Sequence, residues 1–147
     1  MYAKYRNGMF CVVYTAKPAR YLLLHRKLHW QGWEFPKGGS LANEKIVNTV
    51  KREVKEETGL KATAINQFPV RGSFIYDKKT QAERKFKGFR YVLFACKARK
   101  GKIKLDKKEH DGHKWRNYHE SIKLLRWPNQ KRCLKIVNTA VRKTLLV

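Results

Sequence analysis

Acid is what this sequence has least of: 11 Asp and Glu stand against 35 Lys and Arg in 147 residues, a formal charge of +24. Such a field repels cations, gathers polyanions and speeds their capture. Cysteine is also scarce. Cys11, Cys96 and Cys133 are widely spaced in apolar neighbourhoods with no Cys-x-x-Cys pair, which argues against zinc or a disulfide framework and for reduced core thiols. No run approaches the roughly 18 apolar residues of a membrane span, and no charged-then-apolar leader opens the chain, so a soluble cytoplasmic protein with no membrane partner is expected. Internal repeats and low-complexity linkers are missing as well. The 42% hydrophobic content then suits one globular domain over residues 1–147.

The few acids present are concentrated. Glu34, Glu44, Glu53, Glu56 and Glu57 all fall in one short region. The segment Asn43 to Thr58 predicts a helix, with Asn43 as cap, Ile46, Val47, Val50 and Val54 as an apolar stripe and Gly59 as a left-handed stop. Glu53, Glu56 and Glu57 then project from neighbouring positions beside that stripe. They crowd the helix C-terminus, where the dipole disfavours each anion by about 0.3–1 kcal/mol and like charges repel. A hard divalent cation such as Mg²⁺ turns this repulsion into attraction, because it favours oxygen ligands and keeps waters that phosphate oxygens replace. The plainer reading is a solvated face screened by Lys51, Arg52 and Lys55, with Arg52 and Glu56 as a surface pair.

Elsewhere, Gly8 to Thr15 and Tyr21 to Arg26 predict an antiparallel strand pair, and Lys61 to Ile75 and Phe86 to Lys97 predict strands around a charged loop, Asp77 to Lys85. Lys114 to Tyr118 adds a short strand and His119 to Leu125 a short helix. A last helix over Asn129 to Leu146 carries Cys133, Ile136, Val137, Ala140, Val141 and Leu145 as its buried stripe. A mixed sheet between helices follows, an α/β (α+β) fold. The charged loop and its borders interleave Lys78, Lys79, Arg84, Lys85 and Lys87 with Phe74, Tyr76, Phe86 and Tyr91, offering cations for phosphates and flat rings for a base. The alternative is that these rings pack in the sheet and the lysines are solvated. His110 and His113 with Asp111 are too few for zinc and read as surface groups, with His110 positioning Glu109 or a phosphate. His25 and His29 lie near enough to the acidic loop to approach a substrate.

A Gly at 38, five residues, Glu44, seven residues, and then Arg52-Glu53-Val54-Lys55-Glu56-Glu57-Thr58-Gly59-Leu60 resembles the complete signature of the Nudix hydrolases. Leu41 and Asn43 stand where many members have Glu and Gly. The resemblance implies an α/β/α sandwich and a substrate with a linked diphosphate, cleaved by water at phosphorus with Mg²⁺ or Mn²⁺. It implies Glu53, Glu56 and Glu57 as metal ligands, the Gly38 carbonyl as a further one, and Arg52 as the group that orients them. Glu44 would support the loop.

The flanks narrow the resemblance. Trp33-Glu34-Phe35-Pro36-Lys37-Gly38, and Glu109-His110 followed by Trp115, resemble the asymmetric diadenosine tetraphosphate hydrolases of the family, although His113 stands where Tyr is common. That likeness implies Lys37 on phosphate, Glu109 serving the metal or the attacking water, Tyr76 stacking on a base, and Lys85 or Lys87 as a second phosphate lysine. Other readings are an enzyme of the RNA 5′ end that removes pyrophosphate or a cap, a diphosphoinositol polyphosphate hydrolase, and an RNA-binding scaffold without catalysis. The excess charge suits RNA, with affinity falling steeply as salt rises.

Overall fold

Met9 to Val13 offer no polar side chain to turn toward water, and their strand, β1 (Tyr5–Thr15), lies at the centre of the sheet with both faces covered. The computed structural model describes residues 2–99 and 101–146, with side chains as far as Thr144. β1 pairs in parallel with β6 (Gly88–Lys97), and β6 pairs with the edge strand β5 (Thr63–Ile75). On its other flank β1 meets β2 (Arg20–Arg26), and β2 carries β3 (Gly32–Glu34) and β7 (His110–Arg116). β1 and β2 are in register only over Tyr14↔Tyr21 and Thr15↔Arg20; beyond that β4 (Lys37–Gly39) takes the flank of β1, with Phe10 opposite Lys37. The splayed pair leaves a crevice, which β4 enters along β1.

Alternation along β1 sends side chains to two cores. Phe10, Val12 and Tyr14 join Leu134, Val137 and Val141 of α4 (Pro128–Leu146), while Met9, Cys11 and Val13 join Val50 and Val54 of α1 (Ile46–Thr58). The expected α/β/α sandwich with its mixed sheet is therefore present. The three thiols are buried and free, and no helix among the described residues is long and apolar enough to cross a membrane.

Several local expectations need correction. Asn43 does not cap α1: it takes a left-handed turn (φ 62), and Lys45 precedes the helix without a side-chain bond. Val47 is exposed rather than part of the stripe. The charged loop contains a short helix, α2 (Lys78–Arg84), because the Asp77 carboxylate accepts from Thr80 N at 2.7 Å and caps it. β7 begins four residues earlier than Lys114, since pairing with β2, not apolar alternation, creates it. Pro69 in β5 is tolerated at an edge, where the register to β6 shifts. The short helix α3 (Tyr118–Leu124) starts from an Asn117–Glu120 capping box, and Pro128 occupies the first turn of α4. Leu145, expected in the stripe of α4, lies outside the described side chains.

Gly8 packs directly under β4: a Cβ there would strike the Gly38 carbonyl and the Phe89 ring. Gly8→Ala should cost about 1–3 kcal/mol in urea unfolding and weaken divalent-ion binding by displacing Lys37 and Gly38. A variant with unchanged stability and unchanged ion affinity would show that β4 is not clamped in this way.

Candidate active site

The buried face of α1 runs through Thr49, Val50, Val54, Glu57 and Thr58. Glu57 therefore lies on the apolar stripe itself, not beside it. It is 2% exposed, and Lys37 N donates to its Oε2 at 3.0 Å. Burial, followed by repulsion from Glu34, Glu53 and Glu109, pushes its carboxyl well above the ordinary range. Among the described residues no cation forms a salt bridge to it. Glu53 is mostly buried, and burial raises its carboxyl despite the Arg52 guanidinium, whose Nη1 donates to Oε1 at 2.6 Å. Glu56 stands at the solvent rim, 3.3 Å from Arg52 Nη1. Glu109 enters from the start of β7, tied to the end of β2 by Lys27 N donating to its carbonyl at 2.9 Å.

Arg52 spans the loop and the helix. Nε and Nη2 grip both oxygens of Glu44 at 2.9 Å, and Nη2 also donates to Gly39 O at 2.9 Å. Glu44 accepts further from Thr49 Oγ1 at 2.7 Å and Leu41 N at 3.1 Å. These bonds, Arg52 first, hold its carboxyl down at about 2. The planar fork of Arg52 thus fixes the loop at one end and Glu53 at the other. Gly38 lies against Glu53, with no room for a Cβ between them.

One hollow adjoins these carboxylates and a second opens beside it. A cleft of about 300 Å³ is lined by Gly38, Gly39, Glu53 and Glu109 with Arg6 and Phe89, and an aromatic cavity of about 630 Å³ reaches Trp30 and Trp127. They share Arg26, His29, Lys37, Phe74, Tyr76 and Arg84. The structure thus brings Lys37, Tyr76, Gly38, Glu53 and Glu109 to one place. Lys85 and Lys87 line neither hollow: Lys85 closes α2 in a left-handed conformation, and Lys87 Nζ lies 5.9 Å from the Tyr5 ring centroid. Arg84 stands where a second phosphate cation was expected. Tyr76 is buried, edge-on to Phe74 and covered by Arg84, whose guanidinium carbon is 5.1 Å from the ring centroid. The more open ring is Trp127, 38% exposed and edge-on to Trp30 at 5.5 Å. Trp127 directly before Pro128, the first residue of a long helix, was the available signal for it. His29 lines both hollows and bonds Glu83 at 2.8 Å, whereas His25 bonds Asp111 at 2.6 Å.

Beneath the cleft lies a second carboxylate with a different environment. Glu34 is fully buried; its Oε2 accepts from Arg26 Nη1 at 3.1 Å and from His110 Nε2 at 2.7 Å. Lys37 Nζ stands 3.2 Å from Oε1, close enough to pair its charge though not aligned to donate. Burial pushes this carboxyl up, but Lys37, His110 and Arg26 overcome it and hold it at about 2. His110, read from sequence as a surface group, is fully buried, because pairing of β7 with β2 turns its ring inward; His113 is exposed as expected. Glu57, Glu109 and His110 each place one ligand atom within 4.8 Å of the others. Glu57 is buried and Glu109 half-buried, neither forms a salt bridge among the described residues, and oxygen donors of this kind suit a divalent cation.

A raised carboxyl stabilises the fold fully below its unfolded value near 4.5 and loses that contribution as pH rises. In EDTA, Glu57→Gln should therefore melt higher than the parent at pH 7.5, with the gap closing toward pH 4.5. Divalent ions should raise the melting temperature of the parent and leave the variant unmoved. Identical melting curves in EDTA at both pH values would refute the unpaired-carboxylate account.

Residues 4–135 match the family model of the NUDIX domain. Among solved structures the chain is similar to the NUDIX domain of Shewanella oneidensis NrtR bound to ADP ribose, at 15% identity and TM-score 0.75, over 96% of this chain and 90% of that one. It is similar to a Caenorhabditis elegans Ap4A hydrolase, at 21% identity and TM-score 0.67, over 93% and 98%. It is also similar to the Escherichia coli dihydroneopterin triphosphate pyrophosphohydrolase, at 17% identity and TM-score 0.73, over 90% and 96%. No curated protein matches the chain. With the domain matched over nearly its whole length and the signature carboxylates gathered on one helix, the chain belongs to the Nudix family.

Proposed function

We propose that this Nudix pyrophosphohydrolase cleaves dinucleoside polyphosphates, diadenosine tetraphosphate foremost, asymmetrically to ATP and AMP with Mg²⁺ or Mn²⁺. The observation that carries the reading is the union of a carboxylate cleft with an aromatic cavity large enough for a nucleobase. The C. elegans neighbour's activity points the same way.

Glu57 and Glu109 would hold the resident ion, and Glu56 at the rim would take one carried in on the polyphosphate. Such ions neutralise bridging phosphate oxygens and acidify a bound water. Lys37 N keeps Glu57 aimed, and Arg52 keeps Glu53 at the cleft wall. Glu53, with its raised carboxyl, takes the proton as the water oxygen bonds to phosphorus; the anhydride P–O bond breaks and the nucleotide leaves with its oxygen. Lys37, Arg6 and Arg84 line the route with positive charge, which balances the phosphates and orients the chain. Trp127 gives the base a face.

Incubated with diadenosine tetraphosphate and Mg²⁺, the protein should release ATP and AMP in equal amounts, and Glu57→Gln should lose at least about a hundredfold in rate at saturating Mg²⁺. Trp127→Ala should raise KM roughly tenfold with kcat little changed, as expected for one lost base stack. The same assay on 5′-triphosphorylated RNA, at low and moderate salt, decides between substrates. Faster RNA turnover would replace the dinucleotide reading with the RNA 5′-end one, and tight RNA binding without turnover would replace it with the scaffold.

A further inference from the structure

The side chain least accounted for is His110. Its ring is fully buried, and while Nε2 is engaged with Glu34 Oε2 at 2.7 Å, Nδ1 has no hydrogen-bond partner among the described residues. Buried polar atoms are nearly always satisfied, so an orphaned ring nitrogen calls for a cause. Glu34, as a carboxylate, accepts; Nε2 therefore donates, and in the neutral ring Nδ1 is left with its lone pair. A ring nitrogen of His110 lies with one oxygen each of Glu57 and Glu109 in a group no wider than 4.8 Å, the dimension of a single ion's coordination sphere. At this point β7 carries an extra residue, Asp111, between His110 and Gly112, which face Arg26 and His25, and such irregularities re-aim side chains at sites.

We propose that His110 Nδ1 is a metal ligand, completing with Glu57 and Glu109 a mixed nitrogen and oxygen site that favours Mn²⁺, Co²⁺ or Zn²⁺ over Mg²⁺. Imidazole suits those ions, whereas Mg²⁺ holds to oxygen. Glu34 completes the arrangement from behind: a carboxylate on the far ring nitrogen fixes tautomer and orientation and raises ligand basicity, and Arg26 and Lys37 fix the carboxylate in turn. The inference rests on the carboxylate cluster being a metal site, as in the reading above, and is independent of the substrate.

The test is made on the protein without substrate, loaded with Mn²⁺ and read by electron spin-echo envelope modulation, with natural-abundance and ¹⁵N-histidine samples. Imidazole nitrogen coupling is expected in the parent. It should vanish in His110→Gln, whose amide nitrogen retains a donor for Glu34 but offers nothing at Nδ1. It should persist when His25, His29, His113 and His119 are all replaced by Gln. In calorimetry, Mn²⁺ affinity should fall about tenfold or more in His110→Gln while Mg²⁺ affinity changes far less. Mn²⁺ bound without nitrogen coupling, or coupling that survives His110→Gln, overturns this inference alone. Failure to bind any divalent ion overturns the metal reading of the whole cluster. If His110→Gln does not fold, the variant lacking the other four histidines decides, because loss of coupling there assigns the nitrogen elsewhere.

Discussion

The interaction on which this structure depends is the burial of a carboxylate on the apolar face of a helix. Glu57 occupies a place that Val50 and Val54 lead one to expect for a hydrophobe, and among the described residues its one hydrogen bond comes from the backbone of Lys37. A charged group so placed is costly unless it is paired, protonated or bound to a cation. The strand β4 that supplies the amide is clamped to β1 by the absence of a side chain at Gly8, and the loop that follows is held by Arg52 on Glu44. The surroundings thus keep in place a site that is unfavourable in isolation, which is the signature of function rather than stability.

Two buried carboxylates a short distance apart meet opposite fates. Glu34 is surrounded by Arg26, His110 and Lys37 and stays ionised well below neutral pH, while Glu57 faces Glu53, Glu109 and Glu34 itself and is driven upward. Cations are abundant, yet among the described residues none forms a salt bridge to Glu57, while Arg26 pairs with Glu34 and Arg52 with Glu44 and Glu53. Environments that separate two like groups so widely mark a division of roles. One carboxylate supports a histidine and a lysine; the other has no salt-bridge partner among the described residues.

Charge and topology act together at a larger scale. The parting of β1 from β2 makes the crevice, β3 and β4 line its two sides, and the aromatic cavity continues it toward the start of α4. A net charge of +24 attracts polyanions to the protein, and Glu53 and Glu109 line the cleft. An anion in the cleft meets Arg6, Lys37 and Arg84 beside Glu53 and Glu109.

What the sequence determined by itself was local. The spacing of Arg52, Glu53, Glu56, Glu57 and Gly59 marked a helix with its stop, and the apolar runs around Phe10 and Leu23 marked strands, because each depends on periodicity within one element. Tertiary structure decided which of those positions face inward. It put Glu57 on the buried stripe and Glu56 at the rim, turned His110 from a surface group into a core one through the pairing of β7 with β2, covered Tyr76 with Arg84, and moved Lys85 and Lys87 away from the cleft. It also spent Glu44 on Arg52, leaving Asn43 in a left-handed turn instead of a cap. Such outcomes follow from contacts between residues far apart in the chain, where no local pattern records which partner a side chain will meet.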